Sequence, residues 1–382
     1  MLYRAHSCTL RTVAFTALLL GVALPGVGLQ KPDTQPGRFP VKVNEKWGFI
    51  DLSGKMIIPA VYDKVMKFYE GFGAAQIGDK WGFLNPEGEM VIEARFEKVF
   101  SFSEGLAAVK IGGKWGYIDN TGKMVIEPRF AYTWGFGEGL AYVSIDEPSR
   151  YIDGYIDKTG KMVFTVDGIG STFSEGLAAI IQSPDSPDKN FKHFYVNHWG
   201  KRAFHGNFDS VGDFSEGLAA VSKSDKTGYI NPAGKLVIPF RTRGAWGAFS
   251  EGLAVVTIRR RGRAAALYID KTGTEAIQGD FVHADPFSEG LAAVLLRVGE
   301  TTARTTKIPG AVVTEIIADL KYGYIDKTGS VVIPPQFTKA DQFYGGLAFV
   351  CLDSTAAFDP LELHLPCGYI DRTGKHVWEP SQ

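Results

Sequence analysis

Seven glutamates, Glu70, Glu104, Glu138, Glu175, Glu216, Glu251 and Glu289, each followed by glycine, recur through a chain of 382 residues. Carboxylates could act as acids, bases or cation ligands. Catalysis, however, needs one asymmetric constellation, whereas a residue repeated in every unit serves the unit. These glutamates are therefore read as turn or cap residues ahead of a strand. Asp51, Asp119, Asp157, Asp270, Asp326 and Asp371 open short glycine-containing turns, and one carboxylate per turn is too few for calcium. The histidines, His193, His198 and His205 among them, lack metal-ligand spacing. No nucleophile elbow, phosphate loop or Cys–His pairing stands out. The expectation is no enzyme, no cofactor and no metal. One dense charge run remains, Arg259, Arg260, Arg261 and Arg263 around Gly262, whose guanidinium groups could engage phosphate, a lipid headgroup or an acidic protein. Arg297, Arg304 and Lys307 add cations in the next long tip.

The elements that must hold these residues are repeated. FxEGLA recurs at Phe68, Phe102, Phe136, Phe173, Phe214, Phe249, Phe287 and Phe343, the first spacings being 34 residues, and a second block, GYID with TGK, recurs nine times. A fixed period near 34 residues marks stacked supersecondary units. Within unit three, 106–111 and 114–119 read as strands joined by Gly112-Gly113, a type I′ hairpin turn that sets Ile111 opposite Lys114, Lys110 opposite Trp115 and Val109 opposite Gly116. Asp119 to Gly122 turns the chain back into a third strand over 123–126, which Pro128 should end. Both faces of such a meander are apolar, so it must stack on neighbours. The expected fold is all-β, about nine three-stranded meanders in an open superhelical stack. A closed propeller-like ring is the alternative. The open form is favoured because nine complete meanders leave neither chain end supplying a strand to the other.

The KWGYID, TGKMVIEP and FSEGLA motifs resemble the bacterial WG, or KWG, repeat family, over about residues 39–380. The resemblance implies an all-β repeat protein and brings no catalytic residue or cofactor. Its signature pairs are Trp47-Gly48, Trp81-Gly82 and Trp115-Gly116. Phe194 and Leu267 occupy the glycine position in two later units, so this glycine is expected to provide space, facing an aromatic of the neighbouring unit.

Residues 1–28, with Arg4 and Arg11 before an apolar run and small residues after it, read as a secretory signal peptide, and 29–38 as a linker to the repeat domain at 39–382. Export to the periplasm, the cell surface or the medium follows, with membrane contact only through an N-terminal segment left uncleaved. Cys351 and Cys367 fall at the places of Lys110 and Trp115, cross-strand partners, and are expected to form a disulfide. A net charge of −1 and export argue against nucleic acid.

Insertions gather at one place, the first hairpin tip, in units four, five, seven, eight and nine; the longest spans 295–322. The expected function is a scaffold binding a protein or a cell-envelope polymer along that edge. The second reading is a carbohydrate or envelope-polymer binder using Trp134, Trp246 and Tyr142 as stacking platforms.

Overall fold

The computed structural model describes residues 37–148, 150–182, 191–241, 244, 246–260, 263–308, 311–352 and 367–379, with only the backbone course for 260, 300–308 and 311–318. The signal and linker assignments and Arg261 fall outside these residues, except that Gly37 and Arg38 are described. Two compact bodies contain them, one of Phe102–Ser224 with Ile230–Leu236, the other of Pro32–Ser101, Asp225–Tyr229 and Val237–Gln382.

Among the described residues, nine antiparallel sheets of three or four strands succeed one another in sequence. Unit three shows the pattern. Leu106–Ile111 pairs with Lys114–Asp119 in the expected register, Ile111 opposite Lys114 and Val109 opposite Gly116. Gly112 and Gly113 both have positive φ, 57° and 76°, as a type I′ turn requires. The next turn is held by Asp119, whose Oδ1 accepts the N–H groups of Thr121 and Lys123 and the Thr121 hydroxyl.

Two features depart from expectation. The third strand does not stop before Pro128 but spans Met124–Phe130. Its register slips after Trp115 opposite Phe130, so that Tyr117 faces Ile126. This bulge places Pro128 where no ladder N–H is needed. The connector also contributes a strand, as Tyr132–Thr133 does on the far side of Ala141–Asp146 in unit four.

The bulge also explains the motif glycine. Gly116 is absent from the positive-φ residues, and a Cβ there would lie 2.4 Å from the Ile126 carbonyl oxygen and 2.8 Å from the Pro128 nitrogen. Space is what it provides, but the neighbour is the third strand's backbone in the same unit, not an aromatic of the next. In unit seven Leu267 takes the glycine position opposite a strand in which Gly279 replaces the proline. In unit five, with Phe194 there, the third strand shrinks to two isolated bridges, Val196–Arg202 and His193–Phe208.

Sheets stack through two residues of the repeat. The buried tyrosine of one unit meets the FxEG phenylalanine of the next, Tyr117 with Phe136 at 5.0 Å, Tyr229 with Phe249 at 4.9 Å and Tyr324 with Phe343 at 4.9 Å between ring centroids. Each hydroxyl donates to a backbone carbonyl just before that phenylalanine, as Tyr155 does to Ser171 and Tyr268 to Asp285, both at 2.7 Å. Fully buried phenols need such a partner.

A related contact overturns the open stack. Within the second body, Tyr369 of unit nine packs its ring 5.5 Å from Phe39 of unit one and donates its hydroxyl to the Pro40 carbonyl. Phe39, Val41, Ile50, Leu347 and Tyr369 form one buried cluster. The first and last units are therefore packed neighbours, as the propeller-like alternative requires and an open stack does not allow. Complete meanders at both ends do not prevent closure, because it uses side-chain packing and not a shared strand.

Candidate functional site

The FxEG blocks do more than turn the chain. In Phe102-Ser103-Glu104-Gly105, Ser103 and Leu106 exchange backbone hydrogen bonds, with Glu104 at φ 55° and Gly105 at φ 83°. A non-glycine residue in the left-handed region is uncommon, yet seven glutamates adopt it here, at φ 51–55°. This conformation aims the carboxylate at the next unit. Glu104 accepts the N–H of Gly139, Glu138 that of Gly176, Glu175 that of Gly217, and Glu251 that of Gly290, the nearest oxygens lying 2.9–3.1 Å away. Glu289 reaches both Gly345 and Gly346. A cation on the next unit's second turn completes several of these clamps: Lys158 lies 3.2 Å from Glu104 and Lys327 2.9 Å from Glu251. In unit five the cation is replaced by His198, 3.3 Å from Glu138 and stacked on Phe173 at 4.3 Å. Burial raises the Glu251 pKa, but the Lys327 hydrogen bond, the Gly290 N–H and the Lys327 charge outweigh it, leaving a net downward shift. A recurring glutamate looks local in sequence, and the sequence reading missed this reach across units.

The other repeated groups are likewise engaged in structure. Asp51, Asp119, Asp157, Asp270 and Asp326 have lowered pKa values, chiefly through the adjacent Ser or Thr hydroxyl. Trp47, Trp81 and Trp115 sit opposite Tyr62, Phe96 and Phe130 at the start of the third-strand ladder. Among the described residues no group of three or more His, Cys, Asp or Glu is arranged to hold a metal. Cys351 and Cys367 are directly paired across the ninth hairpin and joined by a disulfide, with Cα atoms 3.9 Å apart.

Of the three aromatic platform candidates, Tyr142 is fully buried while Trp134 and Trp246 are half-buried. Tyr142 is buried, its hydroxyl 2.9 Å from Asp153. The Trp134 Nε1–H donates to the Gly170 carbonyl, and Trp246 lies against Tyr229. The exposed tryptophan is Trp199, at 77%.

At the inserted tips the structure is more regular than the sequence suggested. The stretch 295–322 is no loop: it lengthens unit eight's first hairpin into strands Leu291–Ile308 and Ala311–Asp326, paired from Leu291 opposite Asp326 to Ile308 opposite Ala311. Arg304 and Lys307 lie on this ribbon, opposite Glu315 and Val312 in the register. In unit seven Ala254–Arg260 pairs with Arg263–Ile269, placing Arg259 opposite Ala264 and Arg260 opposite Arg263. The tips of units seven and eight adjoin. Arg263 and Arg297 line one 740 Å³ cleft with Ala264, Ala265, Gln278, Gly279 and Asp280.

The sequence profile of the WG containing repeat matches eight segments, residues 47–81, 81–115, 115–147, 154–182, 195–226, 228–259, 268–297 and 322–355. No curated protein matches in sequence. Among solved structures, a eukaryotic initiation factor superposes with a TM-score of 0.61 at 10% identity over 90% of this chain and 96% of that one. BamB from Moraxella catarrhalis is more distant, with a TM-score of 0.42 at 12% identity over 70% of this chain and 90% of BamB. AztD from Citrobacter koseri gives 0.38 at 12% over 77% and 92%. At these identities the likeness to the initiation factor concerns the fold alone. With the repeat profile matching most of its length, the chain belongs to the WG containing repeat family.

Proposed function

We propose that the protein is an exported, non-enzymatic scaffold that binds a protein or cell-envelope polymer along the inserted first hairpins of units seven and eight. The observation that carries this reading is the unit-eight ribbon. Unit three reverses one pair after Lys110 opposite Trp115, whereas unit eight continues from Arg297 opposite Leu320 to Ile308 opposite Ala311. The third strand pairs only with Tyr322, Tyr324 and Ile325, so the outer ribbon extends beyond the three-stranded part of the sheet. Ordered, protruding elements on a rigid repeat frame are where such proteins bind partners. The Cys351–Cys367 disulfide supports export, since such bonds persist in oxidising compartments.

The test replaces residues 299–318 by Gly-Gly, reconnecting Val298 to Asp319 by a two-residue turn. The β circular dichroism spectrum and melting temperature should stay unchanged, while the partner captured by the intact protein from a cell-envelope fraction is lost. Retained capture by the trimmed protein places binding elsewhere.

A further inference from the structure

We infer that the cleft between the first hairpins of units seven and eight is an anion-binding site for phosphate or carboxylate groups carried on a polymer. This rests on the reading of those hairpins as the binding edge and adds the chemistry they recognise.

Both arginines arise from the insertions. In unit three the hairpin closes at Ile111 opposite Lys114. The equivalent pair in unit seven is Ile258 opposite Ala265, and the strands run on to Arg260 opposite Arg263. In unit eight Arg297 opposite Leu320 is likewise one step past the equivalent pair, Leu296 opposite Lys321. A unit with the minimal turn would have neither side chain.

The space between them comes from large-to-small differences in unit seven. By register with unit three, Ala265 stands where that unit has Lys114, Gly279 where it has Pro128, and Asp280 where it has Arg129. The last difference is informative, because Arg129 spans to the next unit and donates to the Gly160 carbonyl at 2.6 Å. Asp280 cannot form that strut, and the gap it would cross stays open. The opening, 740 Å³, falls in the range of ligand sites.

The lining charge favours anions, with two guanidinium groups against one carboxylate. Arg263 and Arg297 are exposed, and no described carboxylate forms an ion pair with either. Each guanidinium presents planar donors that match phosphate and carboxylate oxygens. Two such groups, one from each hairpin, suit successive charges of a polymer better than one small ion.

Isothermal titration calorimetry with sodium polyphosphate, polygalacturonate and neutral dextran tests the site. The intact protein should bind at least one polyanion and not dextran. Arg263→Ala with Arg297→Ala should weaken that binding by about tenfold or more. Lys64→Ala with Lys235→Ala removes equal charge from exposed positions elsewhere and should leave affinity within about twofold, while Asp280→Asn should tighten it. Binding of polyphosphate alone assigns a phosphate-bearing ligand, and of polygalacturonate alone a carboxylate-bearing one. Binding of neither, or equal weakening in both double variants, overturns the proposal. Protein trimmed of 299–318 keeps both arginines and should bind the polyanion like the intact chain, so loss or retention of envelope-partner capture is read independently.

Discussion

The Tyr369 hydroxyl donates to the carbonyl of Pro40, 3.0 Å away and 329 residues earlier in the chain. It joins the last unit to the first by a tyrosine-to-carbonyl bond as neighbours are joined elsewhere, but the acceptor follows Phe39 on the first strand, where Phe39 stands by register at the place of Ala107 and not of an FxEG phenylalanine. Tyr369→Phe keeps the ring against Phe39 and removes only the hydrogen bond. The expected cost is about 1 kcal/mol in denaturant unfolding. Phe39→Ala, which empties the buried cluster, should cost about 3–5 kcal/mol. If Phe39→Ala cost no more than an exposed substitution, the ends would not be packed in solution.

Glu251 should make stability depend on acid pH. Its folded-state pKa is lowered from 4.5, so its contribution is fully present above that value and is lost as pH falls through the lower folded value. Glu251→Gln should lower stability at neutral pH and flatten part of the decline below about pH 4.5. Parallel melting curves for both proteins across pH 3–7 would check it, and identical slopes would count against the clamp.

The left-handed backbone and the carboxylate of the clamp can be separated. Glu104→Gly relieves the backbone at φ 55° but abandons the Gly139 N–H; Glu104→Ala loses the carboxylate and keeps the strain. The alanine variant should be the less stable by about 1 kcal/mol, measured by chemical denaturation.

Gly116→Val should destabilise by about 3 kcal/mol or more, at the upper end of overpacking. The obstruction is backbone: the Cβ would fall 2.4 Å from the Ile126 carbonyl oxygen. Loss of the third-strand pairing, followed by amide exchange at Ile126 and Phe130, should accompany it.

Reducing the Cys351–Cys367 bond, whose cysteines are 16 residues apart, should cost roughly 3 kcal/mol by loop-closure entropy. Melting with and without dithiothreitol provides the measurement, and Cys351→Ser with Cys367→Ser should be insensitive to the reductant.

Much of each unit was readable because its signals are local. Gly112-Gly113 set the hairpin register, Asp119 with Gly122 set the next turn, and the cysteine pairing followed by transferring that register. What escaped was relational. Glu104 forms its bond with a residue 35 positions on, and no local pattern announces it. Closure escaped because Phe39 meets Tyr369 from a strand, at the place of Ala107, and not from an FxEG block. Pro128 misled because a proline reads as a strand end, yet at a bulge it needs no partner. In the cleft, Arg263 was visible as part of a charge run. Its meeting with Arg297 depends on Ala265, Gly279 and Asp280, whose smallness has meaning only when one unit is laid on another.

The clamps also have a direction. Glu104, Glu138, Glu175, Glu251 and Glu289 all hand a carboxylate forward to their successors' glycines, while unit nine carries Gly345 at the glutamate's place, packed near Phe39. A gene duplication or loss bounded at equivalent points of two units conserves the balance of donors and acceptors, whereas one that cuts within a unit orphans one of each. The number of units can therefore drift by whole steps over evolution while every internal joint keeps its chemistry, and the glycine joint identifies the one seam at which the count was closed.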